Sequence, residues 1–290
     1  MKKYRFSFLI VCLFIIVSSL QAQSQKNGVG TNDCFKGPLG LQTYSIRHLF
    51  TPDLNVGMKQ TKDWGFKYIE ITTSVRKALP PDQLLALLGK YDLKGVIAHW
   101  GYNEWIKDPD AIAKYAKELK LEYAGTASVP SKGKGSIYKK KGITEEECDQ
   151  IIAVFNKAGD ACAKQGLRFV YHNHGNEFTP WKDGTLFDKI IQNTNPDRVF
   201  FEMDILWTIL PGEDPVRLFK KYPNRFVSCH LKDYKGDVNT MAVGAGEIDF
   251  ARILKAAQKT AIKYYFLEDE SKNPEQQIPQ SLKYLENIKW

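Results

Sequence analysis

Six short apolar runs of this 290-residue chain each close on a side chain able to ligate a metal or carry a proton. KYIEIT presents Glu70, GVIAHW His99, RFVYHNH both His172 and His174, VFFEMD Asp204, RFVSCH His230 and YYFLED Glu268. Mixed imidazole and carboxylate donors suit a divalent metal ion (Mn, Co, Zn, Fe or Mg), and the absence of thiolates argues against a structural zinc knot. An ion held there polarises a carbonyl oxygen and holds an adjacent hydroxyl as alkoxide, which acidifies the neighbouring C–H. Proton transfer then falls to a carboxylate, Glu70 or Glu177, or to a non-ligand imidazole, His174 or His99. Lys232 is placed to steady a developing enolate or to bind an anionic group. A chain that merely needed a core has no reason to set such groups there, because burying them unpaired costs several kcal/mol, so the pattern reads as an enzyme's.

Strand alternation decides which of these side chains can meet. His172 shares a face with His174, Glu202 with Asp204, His230 with Lys232, and Glu268 with Tyr264 and Phe266. Four neighbouring strands thereby supply His172, Asp204, His230 and Glu268 to one point. Eight strands are expected, near 40–44, 68–72, 93–99, 122–126, 167–173, 198–204, 226–232 and 264–268. Helical stretches separate them, opened by Asp108-Pro109, by Thr144 before three glutamates, and by Asp214-Pro215, with Gly166 at one far end. Apolar strands flanked by helices argue for parallel pairing, and eight such units favour a single-domain α/β fold, a (β/α)8 barrel, whose strand exits converge on one face. GVGTND and VGAGEIDF lack the spacing of a dinucleotide-binding turn.

Each candidate also has a plainer reading. A strand-end histidine is often only hydrogen-bonded, Glu202 could pair with an Arg or Lys deep in the barrel, and Glu70 could cap a loop. Trp64, Trp100, Trp105, Trp181 and Trp207 could fill the core. The shared phase of the polar candidates favours chemistry. Near the strand exits, Gln42, Tyr44, Trp100 and Trp207 are the candidate contacts to a sugar, since flat apolar faces stack on sugar rings.

The first 22 residues carry a basic start, an apolar run from Phe6 to Val17 and small residues up to Ala22. That run is short of the roughly 20 residues a membrane span needs and reads as a cleaved signal peptide, implying a periplasmic or otherwise exported protein with no stable membrane insertion. Residues 23–36 are expected to form a flexible N-terminal arm, and residues 37–290 the barrel. The net charge of +8 includes three positive and no negative residues of that signal, leaving +5. This excess forms no dense basic stripe, so nucleic acid is not an expected partner. Lys132, Lys134, Lys139, Lys140 and Lys141 read as a solvated loop or as a lid over an anionic substrate. The four cysteines beyond the signal permit disulfides without demanding any.

YHNHGNEF, EMDILW, CHLKD and VGAGEIDF before YYFLED together resemble the xylose-isomerase-like barrels of the sugar isomerase and epimerase superfamily, over about residues 38–290. The same broad group holds inosose dehydratases and endonucleases of type four. The resemblance implies a metal held by Glu, Asp, His and Glu from the fifth to eighth strands. Asp204, His230 and Glu268 match type for type, while His172 stands where the family has Glu, which leaves His174 and Glu177 as alternative ligands. The implied activity is enolisation of a keto sugar or sugar derivative, by isomerisation or epimerisation, with elimination across a 3-keto-glycoside as the competing outcome. A non-catalytic carbohydrate-binding barrel is the rival from another class, and abasic-site repair fits badly with export. The partner is a small-molecule sugar or glycoside, and a homodimer is compatible with this reading.

Overall fold

The structure, a computed structural model, describes residues 28–130 and 142–290. The proposed signal, residues 23–27 of the arm and the lysine-rich loop fall outside the described residues. Eight strands form a closed barrel: β1 (Leu39–Gln42), β2 (Tyr68–Ile71), β3 (Lys94–His99), β4 (Tyr123–Thr126), β5 (Arg168–His172), β6 (Val199–Asp204), β7 (Phe226–Leu231) and β8 (Tyr264–Leu267). Every neighbouring pair is parallel, and β1 closes on β8 through Leu39 opposite Tyr265. The eight expected strands are all present within a few residues of their expected bounds. β1 is shorter than expected because Gln42 caps a 3-10 turn over Thr43–Ile46, its side chain accepting from the Tyr44 amide at 3.0 Å.

Capping residues start the helices where the sequence places them. Thr144 and Glu147 bond each other's backbone amides at 3.1 and 2.8 Å and open Glu145–Lys164. Asp108 accepts from the Ala111 amide before Pro109–Glu118, and Asp214 from the Val216 amide before Pro215–Lys221. Each such bond satisfies an amide that the helix itself leaves unpaired.

The apolar faces make two cores. Val96, Ile97, Tyr123, Val170, Phe200, Val227, Tyr264 and Phe266 fill one cluster, and a much larger one packs strands against helices. A filled interior makes the barrel a solid platform rather than a pore, leaving the strand exits as the place for a site.

The arm departs from expectation over residues 28–36. The Asn32 side-chain amide donates to the carbonyls of Leu285, Glu286 and Ile288 at 3.1, 3.0 and 2.8 Å, and its carbonyl accepts from the Cys34 and Phe35 amides. Phe35 is fully buried, its ring 4.9 Å from that of Tyr265. The carbonyls ending helix Pro274–Asn287 need donors, and the arm supplies them. Cys34, Cys148, Cys162 and Cys229 are all free thiols.

Candidate metal centre

Register brings the donors together. Asp204 on β6 lies opposite His230 on β7, and His230 is level with Phe266, two residues before Glu268. Their ligand atoms form a buried group within 4.8 Å of one another. The Glu268 Oε2 is 2.9 Å from His230 Nδ1, and Asp204 Oδ2 is 3.9 Å from that nitrogen and 3.7 Å from His172 Nε2.

Local structure aims Asp204. It caps helix Ile205–Ile209, where its Oδ1 accepts from the Trp207 amide at 2.9 Å. Its own amide donates to Asn173 Oδ1 at 3.1 Å, and the Thr208 hydroxyl donates to its carbonyl at 2.7 Å. Asn173, which alternation turns away from its histidine neighbours, thus ties the exits of β5 and β6. Gly175, at φ 93°, makes the turn after His174 where a Cβ would stand 2.8 Å from the Trp207 carbonyl.

With Oδ1 occupied, Asp204 Oδ2 is buried without a hydrogen-bond partner. A buried orphan carboxylate oxygen costs free energy unless a proton or cation meets it. Burial pushes the Asp204 pKa up to about 7. Burial lowers His172, followed by the neighbouring His230 and His174, so its imidazole is neutral. Burial works to raise Glu268, but Lys232 and then His230 outweigh it and hold the group ionised. Asp204 Oδ2, His230 Nδ1 and Glu268 Oε2 could hold a divalent ion, with His172 Nε2 3.7 Å from Asp204 Oδ2 beside them; His172 also clusters with Glu202 and His230.

A second buried set lies against the far nitrogens of the same imidazoles. His230 Nε2 is 2.7 Å from Glu70 Oε2 and 3.2 Å from Glu202 Oε2, and His172 Nδ1 is 3.5 Å from the latter oxygen. His99 bridges the two glutamates, with Nδ1 3.2 Å from Glu70 Oε1 and Nε2 3.3 Å from Glu202 Oε2. Gln42 Nε2 donates to Glu70 Oε1, and Ser228 Oγ donates to Glu202 Oε1 at 2.7 Å. Among the described residues Glu202 meets three histidines and a serine rather than the Arg or Lys of the plainer reading. Its signal in the sequence was its phase with Asp204; Ser228, in phase with His230, went unmarked.

Other candidates separate into near and distant. Lys232 is buried, its ammonium 3.5 Å from Glu268 and 2.5 Å from Glu270, and 5.1 Å from the Trp207 ring. Half-buried His174 lies between His172 and Trp207, with ring centroids 4.6 and 6.0 Å away. Burial, then Lys232, holds the His174 pKa at about 4. Tyr44 is exposed near the β1 exit, with the Arg47 guanidinium over its ring at 4.1 Å. Glu177 is fully buried beneath the turn, accepting from the His174 amide at 3.4 Å, and is absent from the clustered donor groups. Burial pushes its pKa up to about 7. Trp100 is buried between the Arg76 guanidinium, 4.5 Å from its ring, and the rings of Trp105 and Tyr115. Its place is the shell between strands and helices, because the chain turns outward after His99.

The family described as the xylose isomerase-like TIM barrel matches residues 58–288. The inosose dehydratase of Geobacillus thermodenitrificans is 29% identical over 154 residues, covering 47% of this chain and 51% of that protein. The chain thus spans about half the length of the curated relatives it matches. A sugar phosphate isomerase/epimerase from Parabacteroides distasonis superposes with a TM-score of 0.74 at 22% identity, over 87% of this chain and 96% of that one. The IOLI protein with a binding zinc atom gives 0.65 at 15% identity, over 85% and 94%. The closed eight-stranded parallel barrel and a family match over most of its length place this chain in the xylose isomerase-like TIM barrel family.

Proposed function

We propose that this protein is a divalent-metal-dependent enzyme that removes a proton beside the carbonyl of a keto sugar or keto cyclitol, with loss of water as the preferred outcome. The observation that carries this reading is the gathering of Asp204, His230 and Glu268 at the strand exits, with Asp204 Oδ2 buried and unpartnered. His172 is the fourth ligand in place of the family's Glu. The zinc in a solved structure of the same fold supports a metal here, and the inosose dehydratases among the relatives support elimination. Isomerisation or epimerisation, the activity carried in the name of another structural relative, shares the first step.

A bound divalent cation supplies positive charge to the carbonyl oxygen of the substrate. His174, neutral at pH 7 and beside the cluster, takes the proton from the adjacent carbon, and the electron pair moves onto the carbonyl oxygen. Lys232 stays charged: burial works to lower its pKa, but Glu268, then Asp204 and Glu270, outweigh it. Its ammonium balances the negative oxygen. Return of the proton from His174 to a hydroxyl on the next carbon releases water and leaves a conjugated enone; delivery of a proton to the opposite face of the deprotonated carbon, with the electron pair returning from the oxygen, gives the epimer instead. Of the other groups that the residue types suggested as proton carriers, Glu70 and His99 lie in the second buried set and Glu177 is buried beneath the turn. Trp207 and Tyr44 offer the apolar faces for the sugar ring. We further infer that the protein acts outside the cytoplasm, on the support of its basic, apolar and small-residue N-terminus. No described helix is long and apolar enough to cross a membrane.

The test is turnover of keto-inositols and 3-keto-glycosides in D2O, following enone absorbance and deuterium uptake. Chelation and Asp204→Asn should each abolish both signals, with activity restored to the chelated wild type by added metal. Unaltered turnover in the metal-free protein, or exchange on none of these ketones, would contradict the proposal.

A further inference from the structure

We infer that Glu70, His99 and Glu202 form a positioning layer that orients the imidazoles of His172 and His230 and sets how tightly the centre holds its cation. The inference rests on the reading of that centre given above. Each of the two histidines has one nitrogen toward the Asp204 side and the other toward a glutamate of this layer. An imidazole N–H held by a carboxylate leaves the opposite nitrogen as a lone pair aimed at the metal, and raises its basicity.

Two competing roles fit the geometry less well. A group that moves substrate protons must reach the substrate, whereas Glu70 and Glu202 are fully buried. Both Glu70 oxygens are already engaged, Oε1 with Gln42 and His99 and Oε2 with His230. A second cation among Glu70, His99 and Glu202, whose ligand atoms also lie within 4.8 Å, would displace the His230 N–H from Glu70 Oε2, and it is the rival that would meet Glu202 Oε2 and His99 Nε2, which have no hydrogen-bond partner among the described residues. His230 already turns its Nδ1 to Asp204 and Glu268, so its Nε2 is available as a donor to Glu70 and not as a second lone pair. The Ser228 hydroxyl and the Gln42 amide hold the outer oxygens of the two glutamates, so the layer itself is fixed in place.

The experiment compares full-length wild type with Glu70→Gln, Glu202→Gln, Ser228→Ala and Asp204→Asn. Its readouts are metal content by elemental analysis, Zn affinity by chelator competition, and the visible spectrum of the Co-substituted protein. Wild type should hold one equivalent per chain. Zn affinity should fall about 10- to 100-fold in each glutamine variant and several-fold in Ser228→Ala, with altered Co bands, while Asp204→Asn should lose the metal. Affinity within twofold of wild type and unchanged Co bands in folded glutamine variants would overturn the positioning role while leaving the centre intact. Two equivalents in wild type, with one lost in Glu202→Gln, would overturn it in favour of a second cation. Should the glutamine variants fail to fold, wild-type affinity in Ser228→Ala overturns it. A wild type that takes up no divalent ion removes the centre itself, and the layer with it.

Discussion

At the end of the barrel opposite the site, Glu122 gathers three donors from two other strands. Its carboxylate accepts from Lys94 at 2.6 Å, Lys263 at 2.7 Å and the Tyr264 hydroxyl at 2.6 Å. These bonds tie the starts of β3, β4 and β8 beneath the inner core. Burial works to raise the Glu122 pKa, but the bonds from Lys263, Lys94 and Tyr264 outweigh it and hold it at about 2, against an ordinary 4.5. That depression corresponds to at most about 3 kcal/mol, and with the side chain 26% exposed, solvent screening leaves about 1–2 kcal/mol. A depressed folded-state pKa contributes stability that is complete above the unfolded value and is lost as pH falls from about 4.5 toward about 2. Denaturant unfolding of wild type and Glu122→Gln should therefore differ by about 1–2 kcal/mol at pH 7 and by about half that at pH 3.5. A gap that stays constant over this range, or no gap at neutral pH, would refute the assignment of that stability to the Glu122 charge.

Three other perturbations test how the platform is held. The Asp233 carboxylate accepts from the amides of Tyr234, Gly244, Gly246 and Ile248 at 2.9, 2.9, 3.0 and 3.3 Å, so Asp233→Ala should cost about 2–4 kcal/mol. Hydrogen exchange should quicken first in residues 242–248; protection there equal to wild type would count against the clamp. Asn32→Ala should lower stability by about 1–2 kcal/mol and raise exchange in the last turn of helix Pro274–Asn287, and a loss confined to the N-terminal arm would show that Asn32 does not cap that helix. Gly125→Ala on β4 would drive a Cβ into the Val170 carbonyl, a backbone atom that cannot rotate aside. Thermal unfolding should register a loss of about 3 kcal/mol or more, and a wild-type midpoint would mean the β4–β5 spacing relaxes freely.

The clustering of Asp204, His230 and Glu268 is legible in the sequence because strand alternation is a local rule. His172 with His174, and Glu202 with Asp204, share faces wherever the strands go, and all the candidates lie at the same ends of their strands. Aromatic residues were harder to place. Trp207 follows a helix cap that turns it toward Lys232, whereas Trp100, also just past a strand, is drawn into the shell by Arg76 and Tyr115. Nothing in the spacing of a single strand exit distinguishes those two courses. The arm was misjudged over residues 28–36 for a related reason: its polar composition suits solvent, and the carbonyls that order it lie 253–256 residues away.

Composition and periodicity alone determined eight strands, their parallel order and the residue types at one rim, since each follows from side-chain phase and capping within a few neighbouring residues. Only the closed barrel decided which donors meet. Glu70 and His99, on strands far in sequence from His230 and Glu202, reach them because closure brings opposite walls within hydrogen-bonding distance across the interior. That closure sets Glu70 against His230 and His99 against Glu202, an arrangement fixed by distances between strands that no stretch of sequence contains.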